Sequence, residues 1–327
     1  MANGSDRIWE MARGFQASRV LLTAVELGIF PALADGPKTS GQTAAKIGAD
    51  ARATDRLMNA LVVLGLLEKR GDGFNNGPLA SESLVPGRPQ YMGGALGHLL
   101  SLWRSWSTLT EAVRTGTCAP SRTSAPDVFF RPFIAAMHYN AENNAPAVMS
   151  QIDLSSVRRT LDVGGGSGAY SMAFCRAKPE LQAVVFDRPE VVPLTRDYAA
   201  AAGLERRIST VEGDFTRDEL PHDFDLAFLS QVLHSNSREE NAALMKRVAR
   251  ALNPGGQIVI QEFVVDEGRT SPPQPVLFAL NMLVGTEAGD TYTESEIRGW
   301  LDAAGFRRPR RVDVPGRGTT LLLASKP

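Results

Sequence analysis

Short apolar runs alternate with helical patterns through the second half of the chain, and this alternation limits the possible folds more than any other feature. Thr160-Leu-Asp-Val163, Ala183-Val-Val-Phe186, Ile208-Ser-Thr-Val211, Phe224-Asp-Leu-Ala-Phe-Leu229 and Gln257-Ile-Val-Ile-Gln-Glu-Phe263 read as strands separated by helices. Strands of this kind build a parallel sheet covered on both faces. Arg310-Arg-Val-Asp-Val314 and Thr319-Thr-Leu-Leu-Leu323 read as a hairpin that completes the sheet with an antiparallel end. Capping boxes mark two helix starts, Ser237 with Glu240 and Thr293 with Glu296.

A chain of 327 residues exceeds the usual single domain, so the α/β part, placed at 151–327, must be preceded by a second unit. From Arg7 to about Pro31, Ile8, Met11, Phe15, Leu22 and Val25 recur at helical spacing, and Gly28 can end that helix. Thr39–Ile47 and Ala53–Leu67 carry further apolar faces, and Leu66–Phe74 reads as a strand entering a tight turn at Asp72-Gly73. Three helices and a hairpin describe a winged helix over 1–90. A helical linker over 91–150 is interrupted by Thr115–Pro120, Pro126 and Pro132.

Winged helices often read DNA, which makes a ligand-sensing regulator the rival reading. Charge opposes it: residues 1–85 hold nine basic and nine acidic side chains, and the net charge of the whole chain is −1. The segment that would enter a groove, Asn59-Ala-Leu-Val-Val-Leu-Gly65, is apolar and suits a partner subunit, so a homodimer through this domain is expected and nucleic acid is not. The start of the chain lacks a basic segment followed by an apolar one, and no run of about 18 apolar residues follows. A cytoplasmic protein without membrane contact is expected. Cys118 and Cys175 are too few for a disulfide framework and are not spaced as metal ligands, so no metal is expected.

Leu161-Asp-Val-Gly-Gly-Gly-Ser-Gly168 lies where a strand turns into a helix, and glycines there let a ligand approach the backbone. Such turns also serve NAD, FAD and nucleotides. Asp187, about 20 residues on at the next strand end, can accept both hydroxyls of a ribose. Asp214 ends the third strand, so three neighbouring carboxyl ends converge on one crevice of a Rossmann-like sheet. A dinucleotide favours G-x-G-x-x-G and a pyrophosphate seat. Here Gly164, Gly166 and Gly168 alternate, which fits S-adenosylmethionine better. Its cationic sulfonium and amino groups favour carboxylates and carbonyls, and Asp162 is placed either to orient its amino acid end or to structure the turn.

Together with Phe186-Asp-Arg-Pro-Glu-Val191, Gly213-Asp-Phe215, Val232-Leu-His234 and Leu252-Asn-Pro-Gly-Gly256, this turn resembles the small-molecule O-methyltransferases typified by plant caffeate and bacterial hydroxyneurosporene enzymes. The resemblance covers nearly the whole chain, including Ala24-Val-Glu-Leu-Gly-Ile-Phe30 and Leu61-Val-Val-Leu-Gly-Leu-Leu67, which are similar to that family's winged-helix dimerisation region. It implies that Gly164, Asp187, Asp214 and Phe215 hold S-adenosylmethionine, that His234 removes the acceptor's proton and that Glu262 orients it, with S-adenosylhomocysteine as product. Gly165, Gly166, Arg188, Ser230 and Gln231 complete the cofactor candidates. The sequence departs from the pattern at three places: His234-Ser235-Asn236 replaces His-Asp-Trp, Ser230 replaces a lysine, and Thr291, with Glu287 nearby, stands for a second glutamate. The family also contains relatives that methylate carbon or have lost methyl transfer.

Transfer from a sulfonium is an in-line displacement that first requires collinear placement, and then an oxygen stripped of its proton. A neutral imidazole beside the hydroxyl accelerates such a step by about 10²–10⁴-fold. An acceptor pocket is expected at the seam between domains, where ligand sites concentrate. Met137 and Met282 match positions that clamp the acceptor ring in the family, His138 lies in the interdomain helix, and Asn140, Asn144 and Asn281 are polar groups able to bind acceptor hydroxyls.

Overall fold

The computed structural model describes residues 4–119, 126–314 and 318–327. The chain divides into two compact units, Met1–Ser101 and Leu102–Pro327. In the first, α1 (Gly4–Arg13), α2 (Phe15–Leu27) and α3 (Ile29–Ala32) are followed by β1 (Lys38–Thr39), α4 (Ser40–Ile47), α5 (Ala51–Val63), β2 (Leu67–Arg70), β3 (Gly73–Asn76) and α6 (Pro78–Ser83). Gly28 ends α2 in the left-handed region at φ +73°, and its N–H closes the last turn on Ala24 and Val25. The small sheet has the order β1-β3-β2. Its hairpin turns at Gly71-Asp72, one residue ahead of the expected Asp72-Gly73, because Gly71 takes the positive φ that the tight turn requires. Ile29, Phe30, Met58, Leu61 and Phe74 fill the core, whereas Ile8, Trp9, Met11, Phe15 and Val63 stay exposed.

Helix α7 (Gly93–Trp106) carries the chain into the second unit, where α8 (Leu109–Thr115) and α9 (Pro126–Met149) precede the sheet. Pro126 opens α9, and Pro132 does not interrupt it as expected; one missing bond near the start of a 24-residue helix leaves the rest intact. The elements then run β4 (Arg159–Val163), α10 (Ala169–Ala177), β5 (Gln182–Asp187), α11 (Val192–Ala201), β6 (Ile208–Glu212), β7 (Phe224–Ser230), α12 (Arg238–Ala251), β8 (Leu252–Glu262), β9 (Val264–Val265), α13 (Pro273–Gly285), β10 (Tyr292–Thr293), α14 (Glu294–Ala303), β11 (Arg307–Asp313) and β12 (Thr320–Ser325).

Seven of these strands form one sheet in the order β11-β12-β8-β7-β4-β5-β6, with β4 to β8 mutually parallel and β12 antiparallel to both its neighbours. Both faces are apolar, as alternation within single strands shows: Ala227 and Leu229 point into one core cluster, Leu226 and Phe228 into the other. The chain leaves β4 outward through β5 and β6 and returns on the other side at β7. The order therefore reverses between β4 and β7, and the crevice beyond their carboxyl ends is where such sheets bind ligands. Both expected capping boxes close, at Ser237 with Glu240 and at Thr293 with Glu296. Among the described residues no helix is long and apolar enough to cross a membrane.

Candidate active site

After β4 the chain makes a turn in which Gly164, Gly166 and Gly168 all take left-handed φ, at +66°, +58° and +74°. This explains their alternation, since only glycine takes such angles without strain. Between them, a Cβ at Gly165 would lie 2.6 Å from the carboxyl carbon of Asp162, and one at Gly164 would lie 2.9 Å from Val232 and 3.2 Å from Phe215. The N–H groups of Gly164, Gly166 and Gly168 are engaged inside the fold: the first donates to the Phe186 carbonyl, the second to Asp187 Oδ2 at 2.8 Å, the third to the Gly165 carbonyl. Thr195 Oγ1 donates to the Gly166 carbonyl at 2.6 Å, tying the turn to α11.

Three acids stand around this turn in different states. Asp187 is buried at the end of β5 and accepts from Gly166 and from the Arg188 N–H, yet burial outweighs those bonds and raises its carboxyl. The Arg188 side chain is exposed. Asp162 accepts from Ser171 Oγ at 2.8 Å through Oδ2, while its buried Oδ1 has no protein partner. Burial pushes the Asp162 carboxyl up to about 7, with the neighbouring Asp187 charge adding to the rise against the Ser171 bond. Asp214, by contrast, accepts from the N–H and hydroxyl of Thr216 and pairs with Arg217 at 2.9 Å. Its partial burial acts upward, but those bonds and the charges of Arg217 and Arg188 prevail and hold it low.

The Asp162 shift predicts a pH dependence. Its folded-state value lies above the unfolded value of about 4, so the folded chain keeps a proton that the unfolded chain releases. The associated stability is fully present below about pH 4 and is lost as pH rises towards 7. In Asp162→Asn, which cannot ionise, the melting temperature of the cofactor-free protein should fall less steeply over that window. An unaltered slope would assign the dependence to other groups.

On the other side of the reversal, Ser230 ends β7 and donates to Gln261 Oε1 at 3.1 Å. The next residue, Gln231, takes φ +60°, a conformation that costs a non-glycine residue strain and concentrates at functional sites. The chain then forms a 3-10 turn over Leu233–Ser235 that carries His234. His234 Nδ1 lies 2.8 Å from Glu262 Oε1, and its backbone N–H reaches Glu262 Oε2 at 3.3 Å. Glu262, fully buried at the end of β8, also accepts the Phe263 N–H. A carboxylate facing Nδ1 fixes the proton on that nitrogen and leaves the Nε2 lone pair available. The His234 side chain is 12% exposed, so the ring is reachable while its partner is not. Phe278 of α13 meets the ring edge-on with centroids 4.9 Å apart.

The backbone of the turn is held from three directions. Asn241 of α12 donates to the Leu233 carbonyl and accepts from Asn236, the Tyr292 hydroxyl donates to the Asn236 carbonyl, and the Asp290 N–H donates to the His234 carbonyl. Asn236, standing where the family pattern has tryptophan, is therefore part of this scaffold. Of the two residues weighed for the second glutamate, Glu287 is exposed and Thr291 is buried, its carbonyl accepting from Arg269. The acid whose backbone meets the histidine turn is Asp290, bound in turn to Arg269.

The acceptor candidates separate. Helix α9 lies over the glycine turn: His138 Nδ1 sits 2.8 Å from Ser167 Oγ, its ring stacks on Tyr198, and Ile134 approaches Gly166. Met137 is half-buried and Asn140 exposed on the same helix. Asn144 faces the buried hydroxyl of Tyr170, near Gln261 and Ser230, and burial there outweighs these bonds and pushes the hydroxyl up to about 12. Asn281 and Met282 are buried on α13, and Asn281 Oδ1 accepts from Trp106 Nε1 at 2.9 Å. Sequence reasoning missed Tyr170, Gln261, Asn241, Trp106 and Phe278. The helical spacing of Phe278, Asn281 and Met282 marks a common face, but not what that face meets.

Three of the turn's amides are engaged within the fold, which leaves less to hold a pyrophosphate, and the carboxyls of Asp162 and Asp187 beside the turn suit a ligand that carries positive charge. The residues thus fit S-adenosylmethionine, which when bound supplies a methyl group activated on a positively charged sulfur. Among the described residues there is no cluster of three or more side chains able to hold a metal.

Comparison with known proteins agrees with this geometry. A model of the O-methyltransferase domain matches residues 110–307, and one of the O-methyltransferase dimerisation domain matches residues 9–86. The 3-hydroxy-5-methyl-1-naphthoate 3-O-methyltransferase of Streptomyces sahachiroi is 35% identical, over 96% of this chain and 93% of its own. The tetracenomycin polyketide synthesis 8-O-methyl transferase TcmO of Streptomyces glaucescens is 32% identical, over 99% and 97%. The crystal structure of human N-acetylserotonin methyltransferase in complex with SAM superposes with a TM-score of 0.86 at 31% identity, covering 99% of this chain and 98% of that one. With its sheet, its crevice and both family models in place, the chain belongs to the O-methyltransferases that methylate small molecules from S-adenosylmethionine.

Proposed function

We propose that this enzyme methylates a phenolic hydroxyl of a small aromatic, polyketide-like acceptor, with His234 as general base and Glu262 as its orienting partner. The observation that carries the reading is the His234 Nδ1 contact with a fully buried carboxylate, which leaves Nε2 as the proton acceptor of a ring that keeps some exposure. Glu262 selects the tautomer and stabilises the imidazolium formed when the acceptor's proton arrives. Phe278 and Phe263, themselves 4.5 Å apart, offer aromatic faces to a flat acceptor beside that nitrogen. Asn281 and Met282 extend this wall along α13. Asp187 takes the ribose hydroxyls, Asp162 attracts the cationic end, and Gly164 to Gly166 with Phe215, Gln231 and Ser230 shape the rest of the cofactor seat. Relatives acting on a hydroxynaphthoate and in tetracenomycin synthesis support the acceptor class.

The exposed apolar side chains Ile8, Trp9, Met11, Phe15 and Val63 support assembly of two copies through the first unit, whose family model is that of a dimerisation domain. Incubation with S-adenosylmethionine and a panel of hydroxynaphthoates tests the reaction. A methyl ether and S-adenosylhomocysteine should appear in equal amounts. A methyl group found on carbon or nitrogen would refute the hydroxyl assignment.

A further inference from the structure

Against the glycine turn stands an imidazole to which proton removal from the acceptor assigns no part. His138 of α9 has Nδ1 2.8 Å from the hydroxyl of Ser167, a buried residue between the left-handed Gly166 and Gly168. Tyr198 of α11 stacks on the ring with centroids 4.1 Å apart, and one turn earlier on that helix Thr195 holds the Gly166 carbonyl. Ile134, Val191 and Leu194 pack α9 against α11, so the ring is fixed beside the turn, its side chain 17% exposed. Among the described residues, the charged groups facing it are Glu142 on its own helix, with Oε2 3.5 Å from Nε2, and Arg176 on α10; Tyr198 is the titratable neighbour on α11. Burial holds the imidazole below its usual value, with Glu142 acting against this and Arg176 with it. The ring is therefore neutral near pH 7 and takes up a proton in the acid range.

The contact with Ser167 survives that change. A neutral imidazole with its N–H towards Glu142 accepts at Nδ1 from the Ser167 hydroxyl; a protonated one donates there, and the same hydroxyl accepts. What differs is one positive charge set against the turn. We propose that His138 tunes the donor seat by charge: neutral, it admits the sulfonium, and on taking up a proton it weakens S-adenosylmethionine selectively while leaving S-adenosylhomocysteine nearly untouched. This rests on the reading of the glycine turn as that seat. The two ligands differ only in the methyl group and the positive charge on sulfur that goes with it, so a cation beside the turn separates them. A charge several ångströms away in a half-buried place changes affinity by roughly threefold to tenfold. By linkage, the bound sulfonium must hinder protonation of the ring by the same factor. Inhibition by the product therefore deepens in acid.

The test titrates the full chain with each ligand by calorimetry at about pH 7 and about pH 5, on either side of the ordinary imidazole value. No acceptor is present, so the role of His234 does not enter. Asp162 and Asp187, both raised by burial, also gain protons on the way down, so the wild type is set against His138→Gln, whose amide reaches Ser167 but does not ionise. On acidification the preference for S-adenosylmethionine over S-adenosylhomocysteine should fall roughly threefold to tenfold further in the wild type than in the variant. An NMR titration of the wild type gives a second measure, with the His138 ring signal assigned by its absence from the variant. Its midpoint should lie about 0.5 to 1 pH unit lower in the S-adenosylmethionine complex than in the S-adenosylhomocysteine complex, the same factor on a logarithmic scale. A merely structural contact would leave the two midpoints together. Coincident midpoints, or an equal response of wild type and His138→Gln, overturn the proposal. Asp187→Ala should weaken both ligands; if it weakens neither, the glycine turn is not the donor seat, and the proposal falls with that reading.

Discussion

Replacing His234 with alanine should lower turnover by about two to four orders of magnitude, while the affinity for S-adenosylmethionine should stay at the wild-type level. The size follows from what the imidazole supplies. A neutral hydroxyl is a poor nucleophile towards a sulfonium, and the base removes its proton as the new bond forms; alignment of the two partners survives the substitution and maintains the residual rate. The cofactor term should not move, because the groups read as holding the donor lie on the glycine turn, on Asp187 and at the strand ends. His234 meets the fold through its backbone and Glu262. Measuring turnover on the native acceptor beside a calorimetric titration with the cofactor separates the two. Full activity in the variant would leave alignment as the whole of the mechanism.

Asp187→Ala should weaken S-adenosylmethionine binding by about two to three orders of magnitude, with the fold intact. The carboxylate has two tasks. It accepts from the Gly166 and Arg188 N–H groups, which fixes the turn, and in the proposed reading its remaining lone pairs take the two ribose hydroxyls. Hydrogen bonds to a charged acceptor contribute about 1.5–3 kcal/mol each, so losing a pair of them accounts for most of the expected change. The orphaned Gly166 amide should also cost about 1–3 kcal/mol of stability, visible as a lower melting temperature. A titration identical to the wild type would remove Asp187 from the ribose.

Much of this architecture was legible in advance, and the reasons lie in particular residues. The parallel strands announced themselves because burial on both faces makes them continuously apolar, as in Ala183-Val-Val-Phe186. Ser237 and Thr293 announced helix starts because a cap is a local contact over three residues. The glycine alternation was visible too, and its cause became clear only with the backbone angles. Long-range polar contacts were not legible. Asn241 reads as an ordinary helical position, yet it holds the Leu233 carbonyl eight residues back. Trp106 and Asn281 are 175 residues apart, and nothing in either neighbourhood points to the other. The turn at Gly71 was misplaced by one residue because Asp-Gly is the commoner pair, while the backbone used the preceding glycine. His138 was expected among acceptor contacts on account of its helix, and its approach to Ser167 of the glycine turn was not legible.

The occupied amides of the glycine turn have a consequence for selectivity inside a cell. Adenine nucleotides and dinucleotides share the adenosine of the methyl donor and compete for any pocket that reads only that half. A loop with spare N–H groups would welcome their phosphates. Here the amides of Gly164, Gly166 and Gly168 are already bound within the fold, and the Asp187 carboxylate beside them disfavours a polyanion, so discrimination owes much to what these three positions withhold.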